Sequence, residues 1–287
     1  MKLTNNYGLP DPVYRAILSF QQEYEDSHKE YSDISVTTLI GPPQINELLR
    51  EHGDLEEDAS ERLYALDGQA IHLLLERGAG PGDSIEERIT AAVGPWMVSG
   101  QYDRFNIHSG LLQDYKNVFV KEASFGLKES RVQQLNCLAE LMRRSGYEVK
   151  KLEAFCKFRD HSVVRAANDP SYPQRGFMVV PVEMWPREKA LEYMEERVLL
   201  HKAARDGNYV PCSEDDRWHQ ADKWAVMKKG RKSALRVLDS HEESIGWIPV
   251  NVKDGDLHKV YINHRPGQDT RCDYYCPVSS VCPQKKG

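Results

Sequence analysis

The chain lacks long hydrophobic runs, and no stretch approaches eighteen consecutive apolar residues. This absence argues against a membrane-spanning helix. The first residues, Met1–Asn6, contain no apolar segment of the kind found in secretory signals, so we expect a protein that is not secreted. Six cysteines in 287 residues then fit a reducing compartment, where clustered cysteines bind metal more often than they form disulfides. We therefore expect a cytoplasmic protein with no membrane partner.

Positive charge is not in excess either, because the formal net charge is −6. Any contact with nucleic acid must therefore depend on local basic patches. The clearest patch surrounds Gly230 in a predicted hairpin, and its members are Lys228, Lys229, Arg231 and Lys232. Such side chains neutralise phosphates, and the nearby Trp218 and Trp224 could stack an unpaired base. A solvated positive turn, with both tryptophans in the core, explains the same residues equally well.

Hydrophobic periodicity and turn residues predict an α/β fold with a central mixed sheet flanked by helices. Helices are predicted near 11–27, 43–53, 58–77, 129–145 and 187–205. Strands are predicted near 95–105, 111–120, 148–158, 176–184 and 258–263, with a hairpin around Lys228–Arg231. The turn at Asp206–Asn208 separates a core at 1–206, which includes the N-terminal helices, from a C-terminal region at 207–287 packed on that core.

Two acidic residues on neighbouring predicted strands give the first indication of chemistry. Asp114 and Lys116 are two residues apart and share a strand face, whereas Tyr115 points to the opposite layer. Asp103, on the preceding strand, can lie across from them. Two such carboxylates can bind a hard divalent cation, and a neighbouring lysine can stabilise a phosphoryl transition state. A polar strand edge with a surface ion pair is the alternative for the tripeptide alone.

His72 lies on the predicted helix 58–77 and could add an imidazole ligand, which would favour Mn²⁺ more than an all-oxygen site does. Gly68 and Glu76 lie one turn on either side of it. We expect Gly68 to let the helix approach the sheet, and we regard Glu76 as a weak candidate for an outer contact. A separate apolar face of this helix is predicted for Leu63, Leu66, Ala70 and Leu74. A hydrogen-bonded core histidine is the alternative for His72.

The ordered motifs resemble those of RecB-like nucleases of the PD-(D/E)XK superfamily, in particular the stand-alone CRISPR-associated exonucleases and their phage-encoded relatives. They are Gly68-x-x-x-His72, Asp103, Asp114-Tyr115-Lys116 and Gln134-Leu135-Asn136, and the segments Ser35–Ile40 and Trp224–Lys232 also look phage-like. The resemblance implies that His72, Asp103, Asp114 and the backbone carbonyl of Tyr115 bind Mg²⁺ or Mn²⁺, with Lys116 and Gln134 catalytic. The chain departs from the family pattern at Leu138, where a tyrosine is expected.

Three cysteines near the C-terminus, Cys272, Cys276 and Cys282, lie in a proline-containing segment that is too irregular for ordinary core packing. Relatives with iron–sulfur clusters combine such a trio with one upstream cysteine, and the resemblance implies Cys212 for that role here. It therefore implies a [4Fe–4S] cluster, and zinc bound by four thiolates is the alternative. Cys137 and Cys156 instead fit small buried hydrophobic positions.

The resemblance implies a metal-dependent exonuclease that acts on single-stranded DNA or on free ends, in recombination, repair or processing. It also implies the host cytoplasm as the location of a phage-encoded protein, and recombination or replication proteins as partners. Two alternatives remain open at this point: a structure-specific endonuclease, and a DNA-binding or assembly module with an inactive site. Cleavage polarity and oligomeric state do not follow from the sequence.

Overall fold

The computed structural model describes residues 1–29 and 32–286. It divides into two compact units, Met1–Val210 and Pro211–Gly287. The predicted boundary at 206 lies just before this division. No helix among the described residues is long and apolar enough to cross a membrane.

The helices are α1 Asp11–Lys29, α2 Val36–Leu39, α3 Pro43–Glu51, α4 Leu63–Glu76, α5 Val120–Phe125, α6 Glu129–Arg144, α7 Val163–Asn168, α8 Arg187–Arg205, α9 Glu214–Arg217, α10 His241–Asn251, α11 Thr270–Tyr274 and α12 Pro283–Lys286. The strands are β1 Lys2–Thr4, β2 Ile34–Ser35, β3 Glu56–Asp58, β4 Asp83–Ile85, β5 Arg88–Val93, β6 Trp96–Gln101, β7 Arg104–Asn106, β8 Leu111–Val118, β9 Lys151–Phe158, β10 Phe177–Val182, β11 His219–Gln220, β12 Lys223–Lys228, β13 Arg236–Leu238, β14 Val260–Arg265 and β15 Gln268–Asp269. Two 3₁₀ turns cover Ala59–Arg62 and Asp254–Lys259.

The first unit contains a five-stranded mixed sheet in the order β10-β9-β8-β7-β4. Strands β8 and β9 are parallel, so the chain must cross over between them, and α6 forms half of that connection. The other pairs in this sheet are antiparallel. The predicted mixed α/β architecture is therefore confirmed, and α8 has the predicted bounds.

The single strand predicted at 95–105 is wrong, because the chain changes sheets within it. Strand β6 pairs with β5 and β2 in a separate three-stranded sheet, whereas β7 joins the central sheet. Between them, the fully buried Tyr102 donates a 2.6 Å hydrogen bond to Glu87 Oε2. A buried aromatic ring with a satisfied hydroxyl fixes the crossing point. The next residue, Asp103, therefore lies where the two sheets meet.

Helix α6 packs its apolar side into the main core through a close approach to β6. A side chain at Gly100 would place its Cβ 2.4 Å from Leu138 Cδ2 and 3.3 Å from Leu141 Cδ1. Leu138 is only 2% exposed. The absence of a side chain at Gly100 thus provides the space that Leu138 fills. Leu138 is the residue at which the family pattern has tyrosine.

The apolar face predicted for α4 is mostly wrong. Leu63, Ala70 and Leu74 are exposed, and only Leu66 packs against the small cluster of Leu3, Ile17 and Ala59. The close approach predicted for Gly68 is also wrong, because a Cβ built there meets no atom within 4 Å. The helix contains apolar residues all round, so periodicity alone could not identify the side that faces the protein.

The second unit contains a three-stranded antiparallel sheet in the order β13-β12-β14. The predicted hairpin corresponds to β12, the turn at Gly230 with φ of 82°, and β13. The predicted strand at 258–263 begins two residues later, at Val260. Trp218 is about half exposed and Trp224 is partly buried, so neither tryptophan is a core residue.

The packing of Leu138 gives a stability prediction. We expect Leu138→Ala to lower the free energy of unfolding by about 2–5 kcal/mol, because the truncation leaves a cavity beside Gly100. Leu74→Ala is the matched control, since Leu74 is 63% exposed, and we expect it to change stability by less than about 0.5 kcal/mol. Urea denaturation followed by circular dichroism measures both. Equal losses would contradict this packing.

Candidate metal centre

His72, Glu86 and Asp103 form a compact group of ligand atoms. One atom from each residue lies within 4.8 Å of the other two, and no second group of this kind occurs among the described residues. His72 Nδ1 is 2.9 Å from Glu86 Oε1 and 3.5 Å from Asp103 Oδ1. The structure therefore brings together two residues that the sequence predicted, and adds Glu86 to them.

Glu86 lies between β4 and β5 and was not predicted as a site residue. Its φ is 51°, a left-handed conformation that is uncommon for a residue other than glycine. Its other carboxylate oxygen accepts a 3.0 Å hydrogen bond from Gln101 Nε2. Backbone strain of this kind is often retained at functional sites. Neither a spacing rule nor a strand position marks Glu86 in the sequence, because it lies in a connection.

Asp103 connects this group to the catalytic tripeptide predicted on β8. Arg104 on β7 pairs with Gln113 on β8, and continuing this register places Asp103 opposite Asp114. Asp103 Oδ2 accepts a hydrogen bond from the backbone N–H of Tyr115. Asp103 therefore faces His72 with one oxygen and β8 with the other.

Asp114 and Lys116 share a strand face, as the sequence predicts. Lys116 Nζ donates a 2.6 Å hydrogen bond to Asp114 Oδ1. Asp114 Oδ2 is buried and has no hydrogen-bond partner among the described residues. Tyr115 lies on the other face, where its ring contacts those of His72 and Phe155 at centroid distances of 6.1 and 6.0 Å.

The buried charges shift one another's pKa values. Burial raises the pKa of Asp103 to about 7, and the Asp114 carboxylate adds to this rise. The hydrogen bond to Glu86 raises the pKa of His72, although burial opposes it. Burial alone would lower the pKa of Lys116, but Asp114 and Asp103 raise it overall. The protonation state of each group therefore depends on its neighbours. The site has three carboxylates, those of Glu86, Asp103 and Asp114, and one permanent cation, Lys116.

This donor set fits a divalent cation. Carboxylate oxygens with one imidazole suit Mn²⁺, and they also suit Mg²⁺ where water completes the coordination. The unpaired Asp114 Oδ2 is an additional buried acceptor beside the group. His72, Glu86 and Asp103 would hold the ion, with Asp114 next to them. The predicted role of the Tyr115 carbonyl remains a prediction.

A cleft of about 450 Å³ gives access to this group, and its walls include His72, Glu86 and Asp103. Gln134 and Leu138, on successive turns of α6, line the same cleft. Gln134 therefore lies where a bound substrate could meet it. Glu76 is exposed and lies outside the metal-binding group.

The four cysteines expected to bind a cluster all lie in the second unit. Burial raises the pKa of the Cys212 thiol to about 12, and Asp216 and Cys282 add to this rise. Both backbone groups of Cys212 form 2.9 Å hydrogen bonds with the Gln284 side chain. No three of these four thiols, all of which the structure describes, lie within 4.8 Å of one another. Cys137 and Cys156 are buried, as predicted.

The basic hairpin is only partly free of counter-charge. Lys228 Nζ donates a 2.7 Å hydrogen bond to Asp256 Oδ2. Lys229, Arg231 and Lys232 are exposed. Trp224 stacks on His264 with a centroid distance of 5.0 Å. The predicted DNA contact at this hairpin stays a prediction.

The position of Glu86 gives a test of the metal group. We expect Glu86→Ala to weaken Mn²⁺ binding by about 10–100-fold, because a carboxylate that orients or joins the ligand set is lost. Glu76→Ala is the matched control, since it removes an exposed glutamate from the helix that carries His72. Isothermal titration calorimetry measures both affinities. Equal Mn²⁺ affinity in the two variants would remove Glu86 from the centre.

The chain is similar in fold to a solved protein named SSO0001, with 16% sequence identity, a TM-score of 0.52 and coverage of 95% of this chain and 97% of that one. A phage-related exonuclease from Haemophilus somnus 129PT aligns with 62% of this chain and 95% of its own, with 15% identity and a TM-score of 0.39. No protein-family model matches the sequence, and no curated protein matches it. The similarity to SSO0001 shows a shared fold.

Proposed function

We propose that this protein is a divalent-metal-dependent nuclease that hydrolyses the phosphodiester bonds of DNA. The observation that carries the proposal is the convergence of His72, Glu86 and Asp103 beside the buried Asp114–Lys116 pair. Carboxylates and an imidazole at the wall of a cleft, with a lysine beside them, are the groups that metal-assisted phosphoryl transfer requires. Fold alone does not determine function, so the proposal depends on these residues.

Each residue has a distinct role in this reaction. A bound divalent cation would lower the pKa of a water molecule and offset charge on the phosphate. His72, Glu86 and Asp103 would hold the ion. Asp114 holds the Lys116 ammonium in place at 2.6 Å, and Lys116 can stabilise the negative charge that develops on the phosphoryl oxygens. Gln134 can orient the substrate, because it lines the same cleft.

We further propose that the enzyme is an exonuclease acting on single-stranded DNA or free ends during recombination, repair or processing. Support for this finer assignment comes from the sequence motifs His72, Asp103, Asp114-Tyr115-Lys116 and Gln134, which resemble those of RecB-like nucleases. Leu138 does not match that pattern. Because Leu138 is packed on Gly100, this position of α6 serves the core here.

The nuclease proposal predicts metal-dependent cleavage that is lost in Asp114→Asn and Lys116→Met. We expect wild-type protein, purified anaerobically, to degrade end-labelled single-stranded DNA with Mn²⁺ or Mg²⁺. Each variant should be slower by about 100-fold or more, because Lys116→Met removes the ammonium that stabilises the reacting phosphate and Asp114→Asn removes the carboxylate that holds this ammonium in place. Gel electrophoresis of the products gives both the rate and the polarity.

Circular single-stranded DNA separates the two modes of cleavage. Resistance of the circle, together with degradation of the linear strand, would support the exonuclease. Cutting of the circle at a similar rate would replace it with an endonuclease. If wild type cuts no linear, circular or duplex DNA with either metal, the nuclease proposal fails.

We also propose that Cys212, Cys272, Cys276 and Cys282 bind a [4Fe–4S] cluster. A single zinc ion with bonds of about 2.3 Å needs sulfur atoms about 3.8 Å apart. A cluster holds its thiolates further apart, because each binds a different iron. Support for the cluster comes from the resemblance of Cys212 and the C-terminal trio to the cysteines of cluster-containing relatives. It would stabilise the second unit by joining Cys212 to the C-terminal segment.

Loss of one thiol tests this assignment. We expect Cys282→Ala to lower the bound iron and sulfide and to reduce the thermal stability of anaerobically purified protein, because one bond to the cluster is lost. Cys137→Ala is the control, since it removes a buried cysteine of the first unit. Elemental analysis and calorimetry provide the measurements. Zinc in place of iron in the wild type would leave a thiolate site but refute the cluster.

A further inference from the structure

Two phenylalanine side chains are exposed immediately after the strand that carries the catalytic pair. Phe119 is 47% exposed and Phe125 is 79% exposed. Large aromatic side chains gain most from burial, so two exposed ones within residues 119–125 make this segment a candidate for contact with another molecule. Neither residue belongs to the core or to the metal centre.

Each exposed ring is paired with a cation. The Arg159 guanidinium lies 3.7 Å from the centroid of the Phe119 ring. Lys121 Nζ lies 5.9 Å from the centroid of the Phe125 ring. Lys157, two residues before Arg159, is also exposed. We call these five residues, Phe119, Lys121, Phe125, Lys157 and Arg159, the aromatic–cation patch.

The patch carries a surplus of positive charge. Glu122 lies in the chain between Phe119 and Phe125, but it forms an ion pair with Arg131 at 2.8 Å. Asp160 Oδ1 accepts a 2.7 Å hydrogen bond from the backbone N–H of Val120. Residues 119–125 and 157–160 therefore contain three cations against Asp160 and the ion-paired Glu122, although the protein as a whole is acidic. An anionic partner fits such a surface.

The backbone places the patch at the end of the strand that carries Asp114 and Lys116. Phe119 follows Lys116 by three residues of extended chain, or roughly 10 Å at about 3.3 Å per residue. The backbone N–H of Arg159 donates a 2.9 Å hydrogen bond to Val118 O, which joins the ends of β9 and β8. By alternation, Phe119 lies on the strand face of Tyr115, whose ring contacts His72, and on the opposite face from Asp114 and Lys116.

We propose that the aromatic–cation patch, at the end of β8 that follows Lys116, binds single-stranded DNA. Phe119 and Phe125 stack on unpaired bases, and Lys121, Lys157 and Arg159 neutralise neighbouring phosphates. Base pairs in a duplex leave few base faces free, so this combination favours an unpaired strand. The inference rests on the proposed function for its choice of single-stranded DNA, and it names the surface that holds that strand.

The test measures binding separately from cleavage. Fluorescence anisotropy with a labelled oligothymidine, in EDTA, gives the affinity of full-length protein without any metal-dependent reaction. We expect Phe119→Ala and Phe125→Ala each to weaken binding by roughly tenfold, as the loss of one stacked base does. Tyr7→Ala is the matched control, because it removes a 79% exposed aromatic ring from the same unit. Thermal unfolding should be unchanged in all three.

A second pair of variants, one in the patch and one outside it, tests the role of the cations. Lys157→Gln should weaken binding and reduce its dependence on salt concentration, because one phosphate contact is lost. Lys151→Gln removes an exposed lysine from the opposite end of the same strand, β9, and should leave the affinity unchanged.

The outcomes separate this inference from the nuclease proposal. Weaker binding in the patch variants supports the patch even if the wild type cleaves no DNA. Wild-type affinity in both phenylalanine variants overturns the patch even if Asp114→Asn abolishes cleavage. Failure of the wild type to bind the oligonucleotide also overturns it. A change of oligomeric state in the phenylalanine variants, with DNA affinity unchanged, would assign the surface to protein association instead.

Discussion

The metal centre depends on the forced proximity of two buried carboxylates, Asp103 and Asp114. Burial and mutual repulsion raise the pKa of Asp103 to about 7, so the site resists the full charge that the two residues would carry in water. Lys116 donates its hydrogen bond to Asp114, and Asp103 is compensated by the Lys116 charge, by His72 and by a backbone N–H. One lysine cannot balance this set once Glu86 is added. A divalent cation is the simplest addition that removes the deficit, and this deficit explains why the arrangement favours metal binding.

The crossing between two sheets at Tyr102 produces that proximity. Had β6 and β7 formed one continuous strand, Asp103 would belong to a regular ladder with its side chain fixed by the pleat. The break instead lets the carboxylate lie between His72 on α4 and the Tyr115 amide on β8. Tyr102 holds the crossing by burying its ring and bonding Glu87, so a residue without catalytic chemistry determines the geometry of the centre.

The sequence predicted those parts of the structure that local rules determine. Helix α8 was predicted with its observed bounds because Pro186 precedes it and Gly207 follows its cap. Asp114, Lys116 and Gln134 followed from motif order, since they lie on regular elements. Glu86 could not be predicted, because its place depends on a left-handed residue in a connection and on long-range packing around His72. The exposed side of α4 was misjudged for a related reason, since a helix with apolar residues on every side contains no local signal for its packing partner.

An acidic protein can still bind DNA if its positively charged side chains lie close to the bound DNA strand. At physiological salt the Debye length is about 8 Å, so acidic residues further away than this are largely screened from a bound phosphate. The net charge of −6 therefore says little about the surface around β8. There, Lys121, Lys157 and Arg159 contribute positive charge, and Glu122 is already paired with Arg131. A cation held by His72, Glu86 and Asp103 would reduce the remaining repulsion. Metal binding and DNA binding should for this reason favour one another electrostatically.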